Sequence, residues 1–339
     1  MKTAIVGASG YAGTELLRLL LDHPNFEPTV ITAHSNAGEL ISSVAPQLAK
    51  LGDRRFESFD LAKVNTCDLV FLALPHGESA ALIAQLAPSL KVIDLGADFR
   101  LTSAEKWAQY YGGTHAGTWT YGLPELPGNR SVIGKSTRVA NPGCYATSIS
   151  LAIAPALGLI DSSDIVVVAA SGTTGAGRSA KVNLLGSEVM GSLSSYKFGG
   201  VHQHTPEIEE ALSHAAGSEV KISFTPILAP MPRGILSTVT AKLTTSATTE
   251  TVHALYTAAY AAEEFVTLLP IGQMPKTNSV IGSNHAHLQV AVDPHTNRLI
   301  VSAVIDNLGK GAASQAIQNA NLICGLPDNT GLATLGLGV

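Results

Sequence analysis

Hydrophobic positions follow two regimes along this chain. In the first hundred residues, short unbroken apolar runs alternate with segments of helical period. Lys2–Val6, Thr29–Ala33, Asp68–Pro75 and Lys91–Leu95 are such runs. They lack the two-residue alternation of a half-exposed strand and read as strands buried on both faces. Thr14–Leu21, ending before Pro24, and Glu78–Leu86 read as helices between them. This alternation predicts an α/β domain with a parallel sheet covered on both sides. Tyr110 to Lys135 breaks the pattern, being rich in Gly, Pro and Tyr with little periodicity, and is expected to be irregular. Beyond residue 144 the pattern becomes β-rich. Asp164–Ala170, Val220–Thr225, Gly234–Leu243, His287–Val292 and Leu299–Asp306 read as strands, with Asp293–Arg298 as a hairpin connection. Helices are expected over Glu207–Ala215 and Thr249–Phe265. A last helix opens after Asp306 and runs to about Cys324, returning to the first domain. The predicted division is residues 1–143 with 307–339, against 144–306. The second domain is α+β with a mixed, largely antiparallel sheet.

The first strand–helix junction carries Gly7-Ala8-Ser9-Gly10-Tyr11-Ala12-Gly13. The spacing G-x-x-G-x-x-G differs from the usual dinucleotide fingerprint, but it sits in the same strand–turn–helix frame. Positions without Cβ let a pyrophosphate approach the backbone at a helix N-terminus. The expected fold is therefore Rossmann-type, with Gly7, Gly10 and Gly13 at the cofactor. The loop Pro75-His76-Gly77, at another strand end, should line the same crevice, as should the glycine-rich turn beginning at Asn307. The second strand ends in His34-Ser35-Asn36, with no acid for a ribose 2′-hydroxyl. Neutral donors such as Ser35 suit a 2′-phosphate, which favours NADP(H) over NAD.

Asn141-Pro142-Gly143-Cys144-Tyr145 is the candidate centre of the chemistry. Asn-Pro-Gly is turn vocabulary, and the residues that follow suit a helix. Cys144 should then stand at a helix N-terminus, where backbone N–H groups and the helix dipole lower a thiol pKa. His202 and His204 precede a helix for which Thr205 is the expected N-cap and Pro206 the first helical residue. Either histidine is a candidate acid or base. Ser171-Gly172-Thr173-Thr174-Gly175-Ala176-Gly177-Arg178-Ser179 approaches a P-loop, but Arg178 replaces its lysine and the residues that follow open a helix poorly. Arg178 and Arg233, each in a loop, are candidate anion binders for a substrate carboxylate or phosphate. His285 and His287 read as strand surface. No metal site is expected, since the histidine pairs lack Cys or carboxylate partners at ligand spacing.

Composition narrows the classes. The 339 residues carry a net charge of −5, with 45% hydrophobic and 14% charged residues. Lys and Arg are dispersed, without a basic stripe interleaved with aromatics, which argues against nucleic-acid binding. No apolar run approaches membrane-spanning length, and the chain enters a strand too early for a signal peptide. Three cysteines without metal spacing suggest a reducing cytoplasm. A thinly charged surface suits a chain that buries part of it in an oligomer.

A nucleotide domain, a junction cysteine, histidines and loop arginines together suit acyl transfer to a thiol followed by hydride reduction of the thioester. The same residues carry a family resemblance. The glycine turn, Leu74-Pro75-His76-Gly77, Asp94-Leu95-Gly96-Ala97-Asp98-Phe99-Arg100, Tyr121-Gly122-Leu123-Pro124-Glu125, Asn141–Tyr145, His202–Glu207 and Asp306–Ala312 resemble, in order, the N-acetyl-γ-glutamyl-phosphate reductases of arginine biosynthesis. The resemblance spans nearly the whole chain. It implies NADPH-dependent reduction of an acyl phosphate to a semialdehyde with release of phosphate. It also implies Cys144 as nucleophile, His202 and His204 as acid/base or oxyanion-polarising residues, Ser9 and Tyr11 of the glycine turn at the cofactor, Glu207 at the substrate, and a homodimer or homotetramer formed through the second sheet. Two positions depart from the pattern: Gln203 stands where Arg is frequent, and Glu39 where Lys is common. Aspartate-semialdehyde dehydrogenases share the logic but typically carry Asn-Cys-Ser/Thr. A lysine-pathway homologue differs by one substrate methylene, which sequence discriminates poorly. A non-catalytic NADP-binding regulator would need neither Cys144 nor the histidines.

Overall fold

The computed structural model describes residues 1–338; Val339, the last residue of the expected first-domain segment, lies outside them. Strands β1 (Lys2–Val6), β2 (Glu27–Thr32), β3 (Leu69–Leu72), β4 (Lys91–Asp94), β5 (Thr120–Tyr121) and β6 (Arg138–Ala140) form one sheet. Its order is β2-β1-β3-β4-β6-β5, and every pair is parallel. The unbroken apolar runs follow from this arrangement. Alternate residues of each strand feed two cores on opposite faces. Ile5, Ile31, Phe71 and Ile93 pack with Leu16, Leu17 and Leu20, whereas Ala4, Val6, Val70 and Val92 pack with Ile83 and Leu86. Each such side chain contributes about 1.5–3 kcal/mol on full burial. Strand order reverses between β1 and β3, so the ligand crevice of this domain opens where Gly7 and Pro75 leave those strands.

The segment expected to be irregular contains order of its own. β5 pairs with β6, and Asn129–Ile133 is helical. A two-residue strand leaves no periodicity to read.

The second sheet holds β7 (Ile160–Ser171), β8 (Ser194–Ser195), β9 (Ile222–Leu228), β10 (Ile235–Leu243), β11 (Val266–Leu268), β12 (Ala286–Asp293) and β13 (Arg298–Ile305). Its order is β11-β12-β13-β10-β7-β9-β8. β11–β12 and β7–β9 are parallel; the other four pairs are antiparallel. One face is covered by the helices Cys144–Ile153, His204–Ala216 and Thr249–Ala259. The other leaves apolar residues at the surface, among them Val166 and Val168, 37% and 41% exposed. The helix expected to reach Phe265 stops at Ala259, and Phe265 packs instead in the core of the first domain.

The final helix, Ser314–Ile323, does return to that first core, where Ala316, Ile317 and Ala320 meet Leu16 and Leu17. A π-helical turn, Gly309–Ala313, precedes it. No helix among the described residues is long and apolar enough to cross a membrane.

Candidate active site

Two turns face each other across the domain junction. The first is the glycine turn. Gly7 has φ +88°, and a Cβ there would lie 2.4 Å from the Ala73 carbonyl oxygen; a Cβ on Gly13 would meet the Gly7 oxygen at the same distance. These two glycines pack the turn against its own strand and helix. Gly10 differs: a Cβ there would touch nothing nearer than 3.7 Å. It caps the helix Tyr11–Leu20, and the open space above it fits an anion held at a helix N-terminus. The residues present thus suit a dinucleotide. Ser35 is exposed beyond β2 and donates to Asn36 Oδ1. Asn36 in turn donates to Glu39, so a carboxylate stands three residues past the expected acid position. Pro75 and His76 are exposed at the end of β3, where the His76 ring meets Tyr111 edge-on at 5.5 Å.

The second turn delivers Cys144. Gly143 is the N-cap and Cys144 the first residue of the helix Cys144–Ile153. Glu207 fixes this turn. Its Oε1 accepts from the Gly143 N–H at 2.8 Å and from the Tyr121 hydroxyl at 2.9 Å, and its Oε2 accepts from Arg100 Nη1 at 3.1 Å. Arg100 is equally committed, donating through Nε to the Asn141 carbonyl and through Nη2 to that of Leu95. Asn141 donates to the Ala312 carbonyl and accepts from Asn319. The turn is therefore held from both domains and from the returning helix. Gly311 completes the socket, since a Cβ on it would lie 2.8 Å from Cys144 Cβ. Its neighbour Lys310 is fully buried and bonds Glu125 and Gln318.

The expected low pKa of Cys144 is not what this socket produces. Its thiol is only partly exposed. Desolvation raises its pKa to about 11, outweighing the backbone N–H groups of the helix start and Arg100, which act the other way; Glu207 adds to the rise. The resting sulfur is a thiol that needs a base. The two histidines are uncharged, and the burial that keeps them so also makes them weak bases toward this thiol. Burial holds the His202 imidazole near a pKa of about 2, with His204 adding to the effect. Burial and then Arg100 hold His204 far below its ordinary value. Both are neutral at pH 7. The His204 ring packs against the Gly143 Cα, where a Cβ would lie 2.4 Å from its Nε2, and its buried Nδ1 has no partner. His202 Nδ1 accepts from the His204 backbone N–H at 3.0 Å. That bond explains a second departure. The helix starts at His204 rather than after Thr205, because the His202 side chain takes the first free N–H.

The loop arginines go elsewhere. Arg233 is saturated by Glu15 and Asp306, which ties the second sheet to the glycine-turn helix. It offers no free fork to a substrate anion. Arg178 lies over the glycine turn, donating to the Ser9 and Val44 carbonyls, on the cofactor side. Asn307 spans the junction, accepting from the Gly234 N–H and donating to Thr174. Glu207, expected at the substrate, has its oxygens engaged by the turn itself. His287 lies in β12 and is half-buried, as is His285. No three metal-ligating side chains cluster among the described residues. Arg100, Tyr121, Gly311 and Lys310 received no individual role from sequence. They stand in stretches that carry the family resemblance, Asp94–Arg100, Tyr121–Glu125 and Asp306–Ala312, which marks the stretches but not the contacts each residue makes.

Comparison with known proteins agrees with this geometry. Residues 2–136 match the family model described as semialdehyde dehydrogenase, NAD binding domain, and residues 144–307 match semialdehyde dehydrogenase, dimerisation domain. A protein of Acidothermus cellulolyticus named N-acetyl-gamma-glutamyl-phosphate reductase is 57% identical over 338 residues, covering 99% of this chain and 98% of its own. One of the same name from Salinispora arenicola is 56% identical over 339 residues, covering 99% of each. Among solved structures, aspartate semialdehyde dehydrogenase II of Vibrio cholerae, complexed with ASA, shares the fold with TM-score 0.71 and 15% identity, over 95% of this chain and 98% of that one. The Candida albicans aspartate semialdehyde dehydrogenase with NADP gives TM-score 0.69 at 14% identity, over 97% and 99%. The chain belongs to the N-acetyl-γ-glutamyl-phosphate reductase family of the semialdehyde dehydrogenases.

Proposed function

We propose that this chain reduces N-acetyl-γ-glutamyl phosphate to N-acetylglutamate 5-semialdehyde and phosphate, with NADPH as the hydride source, as a step of arginine biosynthesis. The observation that carries the reading is Cys144 at a helix start, its turn clamped by Glu207 and Arg100 beside two neutral histidines, in a chain more than half identical to reductases of that name. The negative charge of the bound acyl phosphate raises the basicity of the His202/His204 pair, and the Cys144 thiol passes its proton to one imidazole as its sulfur adds to the acyl carbon. The acyl–phosphate C–O bond breaks, and phosphate leaves with the bond's electron pair and takes one proton from solvent. The N–H groups at the helix start, together with a histidine, stabilise the oxyanion. Bound NADPH supplies a hydride to the resulting thioester carbonyl. The C–S bond then breaks, the aldehyde leaves, and the imidazolium returns the proton to sulfur.

The glycine turn, Ser35, Pro75, His76 and Asn307 are assigned to the cofactor, and NADP is favoured because no acid follows β2 directly. The chain is read as residues 1–143 with 307–339 carrying the cofactor and 144–306 carrying catalysis. The return of Ala316 and Ile317 to the first core supports that division. A homodimer or homotetramer would cover the apolar outer face of the second sheet, and the cysteine usage suits a cytoplasmic enzyme. A panel of semialdehydes assayed with phosphate and NADP tests the reading. N-acetylglutamate semialdehyde should be oxidised best, and activity should vanish in Cys144→Ala. A preference for aspartate semialdehyde, or for the substrate one methylene longer, overturns it.

A further inference from the structure

The near P-loop Gly172–Ser179 is too well placed to be a surface linker. The Thr173 and Thr174 N–H groups donate to the Met231 and Pro232 carbonyls. These bonds anchor the loop within residues 144–306, and Arg178, toward its end, reaches across to residues 1–143. One guanidinium nitrogen donates to the Ser9 carbonyl at 3.1 Å and the other to the Val44 carbonyl at 2.7 Å. Ser9 belongs to the glycine turn. Val44 ends the short helix Ile41–Val44, which follows the loop after β2. The fork thus bridges the glycine turn and the short helix that follows the loop after β2. Among the described residues Arg178 meets carbonyl oxygens and no carboxylate, unlike Arg233. It is exposed, and it lines a cavity of about 140 Å³ with Tyr11, Thr174, Ser179 and Lys181.

We propose that Arg178, supplied by the catalytic domain, reads the 2′-phosphate of NADP(H). The guanidinium gives up a carbonyl for a charge-assisted, fork-shaped bond to phosphate. Cofactor recognition then spans both domains. The idea rests on the NADP reading above, and its test separates the two.

The probes are 2′-phospho-ADP-ribose and ADP-ribose, which differ only in the 2′-phosphate, titrated by calorimetry into the full-length wild type, Arg178→Gln and Arg178→Lys. The wild type is expected to prefer the phosphorylated probe. Arg178→Gln should lose about tenfold or more for that probe, and little for ADP-ribose, since a tenfold loss corresponds to one charge-assisted bond of about 1.4 kcal/mol. Arg178→Lys should fall between, keeping the charge without the fork. If the wild type prefers the phosphorylated probe and Arg178→Gln keeps that preference, the proposal is overturned and the NADP reading stands. Equal losses for both probes would assign Arg178 to the pyrophosphate and also overturn it. A wild type that binds both alike refutes the NADP reading and this one together. Arg55, which donates to the Gly38 carbonyl, is the rival cation. A preference abolished by Arg55→Gln and untouched by Arg178→Gln overturns the proposal in its favour.

Discussion

Glu207→Gln tests how the nucleophile is held. The change keeps shape and removes one charge. Glu207 and Arg100 form an ion pair with side chains 1% and 4% exposed, so neutralising one partner leaves the other charged and dry. Breaking such a pair costs roughly 3–5 kcal/mol. The glutamine oxygen can still accept from Gly143 and Tyr121, but its amide would face Arg100 Nη1, donor against donor. A second effect is electrostatic. Glu207 raises the Cys144 pKa and Arg100 lowers it, so losing the carboxylate should bring the thiol down from about 11. Two assays read these effects separately. Urea unfolding should show a lower midpoint with an unchanged slope. Iodoacetamide labelling of Cys144, in a Cys67→Ala, Cys324→Ala background, should rise at lower pH than in the parent. Turnover should fall, because the Gly143 N–H and the Arg100 fork no longer share one anchor. Unchanged stability together with an unchanged labelling profile would refute the claim that this pair sets the turn.

Other expectations follow from the same socket. Gly311→Ala adds a methyl 2.8 Å from Cys144 Cβ. Overpacking of this kind costs about 1–3 kcal/mol, partly offset by the better helix propensity of alanine. kcat should therefore drop more than stability does, and a fully active variant would contradict the contact. His202 is neutral in the fold, its pKa lowered to about 2 by burial, while the unfolded chain takes its proton near 6.5. Its contribution to stability is thus present above pH 6.5 and is lost as pH falls below that value, by up to about 1.4 kcal/mol per unit. Wild type minus His202→Asn unfolding energies between pH 7 and 5 should converge with this sign; a constant difference counts against it. The ratio of kcat/KM for NADP over NAD should exceed one, and a ratio below one removes the cofactor assignment.

Much of the fold was legible because local and global demands agree. Runs such as Leu69–Leu72 are apolar on both faces because both faces are covered, and Gly7 and Gly13 are glycines because a Cβ has nowhere to go. Of the candidate site, the helix start at Cys144 was legible, because the turn and the first helical residues lie within five positions. The site was not legible at Arg100, Tyr121 or Gly311, since what makes them matter is contact across the chain: Arg100 meets Glu207 over a separation of 107 residues. Arg178 and Arg233 looked alike as loop arginines. Only the fold shows that Arg233 is saturated by carboxylates whereas Arg178 makes one bond to each of two carbonyls. The Cys144 pKa was misread for a related reason. A helix start is visible in sequence, but the desolvation that outweighs it comes from Gly311 and other distant neighbours.

The central claim is that Cys144 carries the acyl group. Intact-protein mass spectrometry after rapid acid quench, with the acyl phosphate and no NADPH, tests it most directly. The wild type should gain one N-acetylglutamyl mass, mapped to the Cys144 peptide, labile to hydroxylamine and absent from Cys144→Ala. An adduct on another residue, or none in a wild type that still turns over with NADPH, would contradict the account.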